Sequence, residues 1–342
     1  QSLSAIIILT ACTLEPEFKR PETKVAQTFI FINQESISVS ANSTVKWWER
    51  FGDKNLNQYI EILLRDNLSL QESFQRVQQA KQQVNMDKGG IFPSVSLATD
   101  AARNFQPTNS FAIPSAGSPS NSRFFTNSFG ADINVSWEVD LFGRIQNSIK
   151  SSQADLAASE LDSYALEQSL IAQLVKLRIA SLVNNQILLT AQQSAANQKK
   201  IYALTQRRYH LGVQSVNASD VYVALKNFHA SKAEMHSVKR ELAQNLYAFD
   251  VLLGKKPGTT KIDVAMDPLP ILPKAALTCL PISLLDRRPD LKASEFRLLA
   301  QNAGIGVAMA DLYPNLSISG SIGYSSMKSS RFIASDQLAG SL

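Results

Sequence analysis

Few residues of this sequence stand at spacings that chemistry could use. The three histidines are His210, His229 and His236; the last two are seven apart and would share a helix face. No carboxylate-His or His-x-x-x-His spacing accompanies them, so a zinc site is not indicated. Gly304-Ile305-Gly306 lacks the third glycine of a dinucleotide loop. Gly254-Lys255-Lys256-Pro257-Gly258 lacks the Gly-x4-Gly-Lys-Ser/Thr spacing of a phosphate loop. The acids of Asp286-Arg287-Arg288-Pro289-Asp290 read as charge pairing at a helix start, not as a catalytic pair. The residue with a defined chemistry is Cys12. Ala5-Ile6-Ile7-Ile8-Leu9 is a short apolar run that ends in Leu9-Thr10-Ala11-Cys12, the pattern of a bacterial lipoprotein signal. In such a signal the peptidase cuts before the cysteine and the thiol carries a diacylglycerol. Residues 1–11 then read as part of a signal whose basic region lies upstream. Cys279, between Leu277 and Leu280, reads as a core residue. No catalytic, cofactor-binding or metal-ligating set is expected.

Composition narrows the elements that could carry these residues. The chain has 342 residues, 44% hydrophobic and 18% charged, with no apolar run near the ~18 residues that a spanning helix needs. Two cysteines exclude a disulfide scaffold. A net charge of +5, spread along the chain, gives no reason to expect nucleic acid. Gly and Pro are scarce, 14 and 13, and the scarcity is concentrated. No Gly or Pro occurs from Arg144 to Leu211 or from Val213 to Leu253, enough for helices of about 100 and 60 Å at ~1.5 Å per residue.

A heptad-spaced series runs through the first stretch: Ala158, Leu161, Ala165, Gln168, Ala172, Val175, Ile179, Leu182, Gln186 and Leu189. A second stripe of Leu166, Leu170, Leu174 and Leu177 lies on another face. Two apolar seams imply neighbours on both sides, as in a sheet or tube of helices. The turn between the helices falls at Tyr209 to Ser215, with Gly212 in the left-handed position and Ser215 or Ser219 as the next cap. An apolar Leu211-Gly212-Val213 at such a tip suggests a docking knob.

Three segments alternate with period two. Ile133, Val135, Trp137, Val139 and Leu141 interleave with polar residues, as do Leu316, Ile318, Ile322 and Tyr324; Val95, Leu97 and Ala101 do so less cleanly. Such strands suit a sheet over a soluble core, or a barrel with lipid outside and water inside. Asn104 to Ser128 reads as a long loop. An internal repeat orders the pieces: sliding the chain by 221 residues superposes Leu63, Leu64, Leu70, Ser73, Arg76, Pro93 and Ser96 on identical residues without a gap. The unit is helix, aromatic-Pro, strand. Ser69 and Glu72 form a capping box for its helix in the first copy, and Pro289 suits a first helical position in the second. The partners of Asp132 and Gly254 would lie beyond Leu342, so a fourth strand and a second pair of long helices are expected to follow.

Trp47-Trp48-Glu49-Arg50-Phe51-Gly52-Asp53, Ser136-Trp137-Glu138-Val139-Asp140-Leu141-Phe142-Gly143-Arg144 and Leu285-Asp286-Arg287-Arg288-Pro289-Asp290-Leu291 resemble three signature stretches of the outer-membrane efflux factor family, the TolC type, in its lipoprotein (NodT) branch. The resemblance implies a mostly α fold with β, in which membrane β-barrel strands are continued by a long periplasmic α-helical barrel. It also implies a homotrimer whose protomers each give four strands to a twelve-stranded barrel in the Gram-negative outer membrane. The parts would be a partial signal (1–11), an equatorial belt (12–48 and 255–281), a first repeat helix (49–90) and two strands with their loop (91–141). The helical hairpin (142–254), the second repeat helix (282–311) and a third strand with the start of a loop (312–342) would follow. Tyr209, Leu211, Gly212, Val213 and Ser215 would meet a periplasmic adaptor, and Ile133, Val135, Trp137, Val139, Leu316 and Ile318 would face lipid. The implied function is a passive conduit, not an enzyme, with no cofactor beyond the lipid on Cys12. It would export drugs, metals or other toxic compounds from an inner-membrane pump and its adaptor. The rival is a structural or adhesive coiled-coil lipoprotein without a pore.

Overall fold

In a computed structural model, residues 15–21, 46–107, 123–259, 287–327 and 338–341 are described. A short 3-10 helix, Trp47–Phe51, precedes α1 (Lys54–Asp66), α2 (Leu68–Gly89), β1 (Ser94–Pro107) and β2 (Arg123–Val139). Next come α3 (Arg144–His210), α4 (Ala218–Leu252), α5 (Pro289–Ala310), β3 (Leu316–Ser326) and β4 (Leu338–Ser341). The described residues divide into two compact units, one of 15–21, 78–107, 123–158, 294–327 and 338–341, the other of 46–77, 159–259 and 287–293.

The 221-residue repeat is visible in the backbone. Helices α2 and α5 are both 22 residues long, and their first residues, Leu68 and Pro289, are 221 apart. Their exits match as well: Ile91 N donates to Lys88 O and Phe92 N to Gly89 O, and 221 positions on Leu312 N donates to Met309 O and Tyr313 N to Ala310 O. Each helix thus tightens into a turn, then a proline that cannot continue it, then a strand.

In the helical unit, α1 buries Leu56, Ile60 and Leu63 against Leu170, Ile171, Leu174 and Val175 of α3 and Phe249 and Leu252 of α4. Arg178 is buried among them, 1% exposed at its side chain, with Nε 3.3 Å from Asp53 Oδ2. Asp53 also caps α1, its Oδ1 accepting from Leu56 N at 3.0 Å. The Arg178 guanidinium lies 5.8 Å from the Tyr59 ring, and Tyr59 packs edge-on to Phe249. The α1–α2 junction is pinned by Asn67: Nδ2 donates to Leu252 O at 2.8 Å and Oδ1 accepts from Leu70 N at 3.0 Å. Gly254 completes the junction. Its φ is +70°, and a Cβ there would collide with Asp66 O.

Several expectations are corrected. The cap of α2 is Asn67; Ser69 lies inside the first turn, and Glu72 lies just beyond it and pairs with Arg76. Asn217, not Ser215 or Ser219, caps α4, in a capping box with Asp220. Residues 49–90 hold two helices, not one. Strands occupy 104–107 and 123–128, which read as loop, and β4 begins a fourth strand within the chain. Of the heptad series in α3, Ala158, Val175 and Leu182 are buried, as are Leu170 and Leu174 of the second stripe, whereas Ala172, Gln186 and Leu189 are exposed; Ile171, Arg178, Ser181, Leu188 and Ala195 are also buried and belong to neither series. Cys12, Cys279 and the belt segments 22–45 and 260–281 lie outside the described residues.

Breaking a buried pair leaves an uncompensated charge and a cavity. Arg178→Ala is expected to lower the unfolding free energy by about 3 to 5 kcal/mol, followed by helical circular dichroism during denaturant unfolding. Arg65→Ala, which removes an exposed pair with Asp66, should leave the midpoint where it is.

Candidate functional site

The other unit carries the sheet, antiparallel throughout in the order β1-β2-β3-β4. Directly opposed residues of an antiparallel pair share a face, so the register fixes which side each residue takes. Val95 opposes Val135, Leu97 opposes Ile133, and Ile133 in turn opposes Ile322. Trp137 opposes Ile318, Val139 opposes Leu316, and Tyr324 opposes Leu338. Every one of these is on the same face, and nothing among the described residues covers it: Leu97 is 71% exposed and Ile322 53%. Val139, at the strand's end, is half-buried.

The opposite face carries Ser94, Ser96, Asn134, Ser136, Ser317, Ser319 and Ser321, with the carboxylates of Asp100 and Asp132. Each carboxylate meets a glycine of the next strand. Asp100 lies over Gly130, where an added Cβ would strike only the Asp100 side chain. At Gly323 a Cβ would strike the Asp132 carboxylate and also the backbone at Ala131 O and Asp132 Cα. The alternation found the strands, but these glycine notches were missed; a glycine inside a strand pattern was the available signal.

The strand-to-helix corner explains Ser136 to Arg144. Trp137 Nε1 donates to Ile91 O at 3.0 Å, tying β2 to the end of α2. Gly143 turns with φ +78°. Asp140 Oδ2 accepts from Gln146 N at 2.9 Å, capping α3, and Arg144 makes a two-pronged pair with Glu138 at 2.8 and 2.6 Å. Phe142 stacks on Tyr313 with ring centroids 4.8 Å apart. Beside this corner the strap 15–21 is held by Lys150 to Glu15 at 2.6 Å, by Asn302 Nδ2 to Pro16 O at 2.8 Å and by Arg20 to Glu295 at 3.0 Å. Ser151 Oγ donates to Ala300 O at 3.0 Å, and the small buried Ala154, Ala158 and Ala303 line the same helices.

At the hairpin tip Gly212 has φ +71°, and Gly212 N and Val213 N return to Tyr209 O and Arg208 O. Leu211 is 71% exposed, and Tyr209, Val213 and Ser215 are open as well. Among the described residues no three His, Cys, Asp or Glu side chains come together as metal ligands, and no helix is long and apolar enough to cross a membrane. Gly304 and Gly306 are helical, in α5. Arg288 pairs with Asp290 at 2.6 Å, and that hydrogen bond holds the Asp290 carboxyl below the ordinary range. Arg288 and Asp290 are thus charge pairing at a helix start, and Asp286 lies outside the described residues.

A family model described as outer membrane efflux protein matches residues 59–255 and 280–340. The chain belongs to the outer membrane efflux protein family. It is 27% identical over 332 residues to outer membrane protein OprJ of Pseudomonas aeruginosa, covering 96% of this chain and 67% of that one. It is also 27% identical to nodulation protein T of Rhizobium leguminosarum bv. viciae, over 92% of this chain and 62% of the relative. The chain therefore spans about two thirds of the length of the curated relatives it matches. The solved outer-membrane channel OprN superposes with a TM-score of 0.76 at 29% identity, over 96% of this chain and 72% of that one. The expected efflux-factor fold, long helices joined to membrane-type strands, is thereby shown, and an outer-membrane location goes with the family.

The two notches of this efflux-family sheet should answer differently to the same change. Gly130→Ala is expected to cost about 1 to 3 kcal/mol of stability in detergent and to be rescued by Asp100→Ser, since only that side chain is in the way. Gly323→Ala should cost a similar amount without rescue by Asp132→Ser. Denaturant midpoints of the four variants check both statements.

Proposed function

We propose that this chain is a subunit of a passive outer-membrane conduit of a tripartite efflux system. The observation that carries the reading is the sheet, apolar on an uncovered face and hydroxyl-rich on the other. In water such a face would need a second layer, whereas in a bilayer lipid supplies it. β1 has no strand partner on its outer side among the described residues, and an open edge invites pairing with another copy. Closure of three copies into one barrel would place Ile133, Val135, Trp137, Val139, Leu316 and Ile318 against lipid. The serines with Asp100 and Asp132 would line the water-filled exit. This arrangement favours a pore over a coiled-coil lipoprotein without one.

The conduit performs no bond chemistry and takes no cofactor. A lipid on Cys12 would add an anchor, and the strap held at Lys150 and Asn302 would tie that end of the chain to the helices beneath the sheet. The exposed Leu211-Gly212-Val213 tip would dock a periplasmic adaptor carrying drugs, metals or other toxic compounds from an inner-membrane pump. An exposed apolar knob at the end of paired helices suits a groove on a partner hairpin.

Three measurements test this. The protein reconstituted in planar bilayers is expected to conduct. Of two neighbouring cysteine variants, Ser319→Cys should react with a membrane-impermeant thiol reagent and Ile318→Cys only with a lipid-soluble one. Equal labelling of both from water would overturn the assignment of faces. At the tip, Leu211→Asp is expected to reduce crosslinking to the adaptor at least tenfold while the oligomer still assembles, because burying the new carboxylate costs more than about 1.4 kcal/mol. Unchanged crosslinking would reject the docking role.

A further inference from the structure

Charge is almost absent from the apolar face. Among the residues whose side chains are described the exception is Arg103, opposite Asn127 near the loop end of the β1–β2 hairpin. Two residues further along each strand lies the pair Phe105 and Phe125, whose rings are 5.6 Å apart. Arg103 is exposed, and its guanidinium carbon sits 4.6 Å from the centroid of Phe125. Stacking occupies the flat face of a guanidinium and leaves its in-plane N–H groups free to form a fork.

The height of this feature agrees with a membrane boundary. From Trp137 to Asn127 is ten residues of β2, about 33 Å along a strand at ~3.3 Å per residue. At the 35–45° tilt usual in membrane barrels that becomes about 25 Å across the bilayer, the usual height of the apolar band. Trp137 then marks the edge nearer the helices, and Arg103 with the phenylalanine pair marks the far edge, at headgroup level.

We propose that Arg103, seated on Phe125 and opposite Asn127, is a binding site for the phosphate of an outer-leaflet glycolipid headgroup. Its acyl chains would lie along Leu97, Ile133 and Ile322. The chemistry is a charge-assisted, two-pronged Arg–phosphate contact at an interface of low dielectric, with an amide side chain within reach of the headgroup. This rests on the reading of the apolar face as lipid-facing, and the test keeps the two apart. Native mass spectrometry of the detergent-purified protein, given bisphosphorylated lipid A or its enzymatically dephosphorylated form, reads retention. Wild type is expected to retain the phosphorylated lipid about tenfold better, Arg103→Ala to lose that preference, and Arg103→Lys to keep part of it, a point charge replacing the fork. Equal retention of both lipids by wild type, or retention by Arg103→Ala equal to wild type, would overturn the site. Separately, dibrominated acyl chains in vesicles should quench the fluorescence that Trp137→Phe removes, in wild type and in Arg103→Ala alike. Absence of that quenching in wild type would reject the lipid-facing reading itself and the phosphate site with it.

Discussion

The hydrogen-bond register of the four strands is the constraint on which the rest depends. A slip of one residue in any pair would send a whole row of side chains to the other face. With Val95 on Val135, Ile133 on Ile322 and Tyr324 on Leu338, the apolar rows of all four strands coincide. The polar rows coincide equally, down to carboxylates that sit over glycines of the adjoining strand. Gly130 and Gly323 make register and function the same requirement, because a strand shifted by one would set Asp100 and Asp132 against side chains instead of open backbone.

The helices secure that register from beneath. The corner from Trp137 to Arg144 commits four side chains to one turn: Asp140 caps α3, Arg144 grips Glu138, and Trp137 reaches the backbone at the end of α2. In the helical unit Arg178 and Asp53 take the corresponding part, joining the start of α1 to the middle of α3 through a buried pair. Such pairs contribute less to net stability than apolar packing of equal volume, but they penalise every mispaired arrangement. A 67-residue helix with a heptad seam could otherwise slide by seven residues against its neighbours at small cost.

What was legible in the sequence follows from what repeats. Ile133 to Leu141 announced a strand because a two-residue period has no helical counterpart, and the absence of Gly and Pro from Arg144 to Leu211 located α3 within a residue. The β1 pattern was blurred by Thr99 and Arg103 on its apolar face, and Arg103 is there because Phe125 receives it. Residues 104–107 and 123–128 looked like loop because they flank the Asn-, Ser- and Pro-rich stretch between them, and strand pairing there rests on backbone bonds that composition does not report. Caps were misplaced by two residues because Asn67 and Ser69, or Ser215, Asn217 and Ser219, are chemically interchangeable until tertiary contacts choose. The seam of α3 was read incompletely for a related reason: Arg178 and Ser181 are buried, held by Asp53 Oδ2 and Leu177 O, and hydrophobicity alone cannot see a polar residue that finds its partner inside the fold.

The repeat carries the last step. Both copies keep the same helix length, the same pair of turn hydrogen bonds and a proline before the strand, so the exit from helix to sheet is conserved geometry between copies that share few side chains. The entrances differ: Asn67 caps the first helix and pins it to Leu252, whereas Pro289 opens the second beside an exposed Arg288–Asp290 pair. A duplicated unit therefore delivers two strands to one sheet with the same facing, Val95 and Leu97 matching Leu316 and Ile318, while leaving each helix start free to meet different neighbours. The β end requires equivalence because every strand must bring its apolar row to the same face of one sheet, and the helical end requires none.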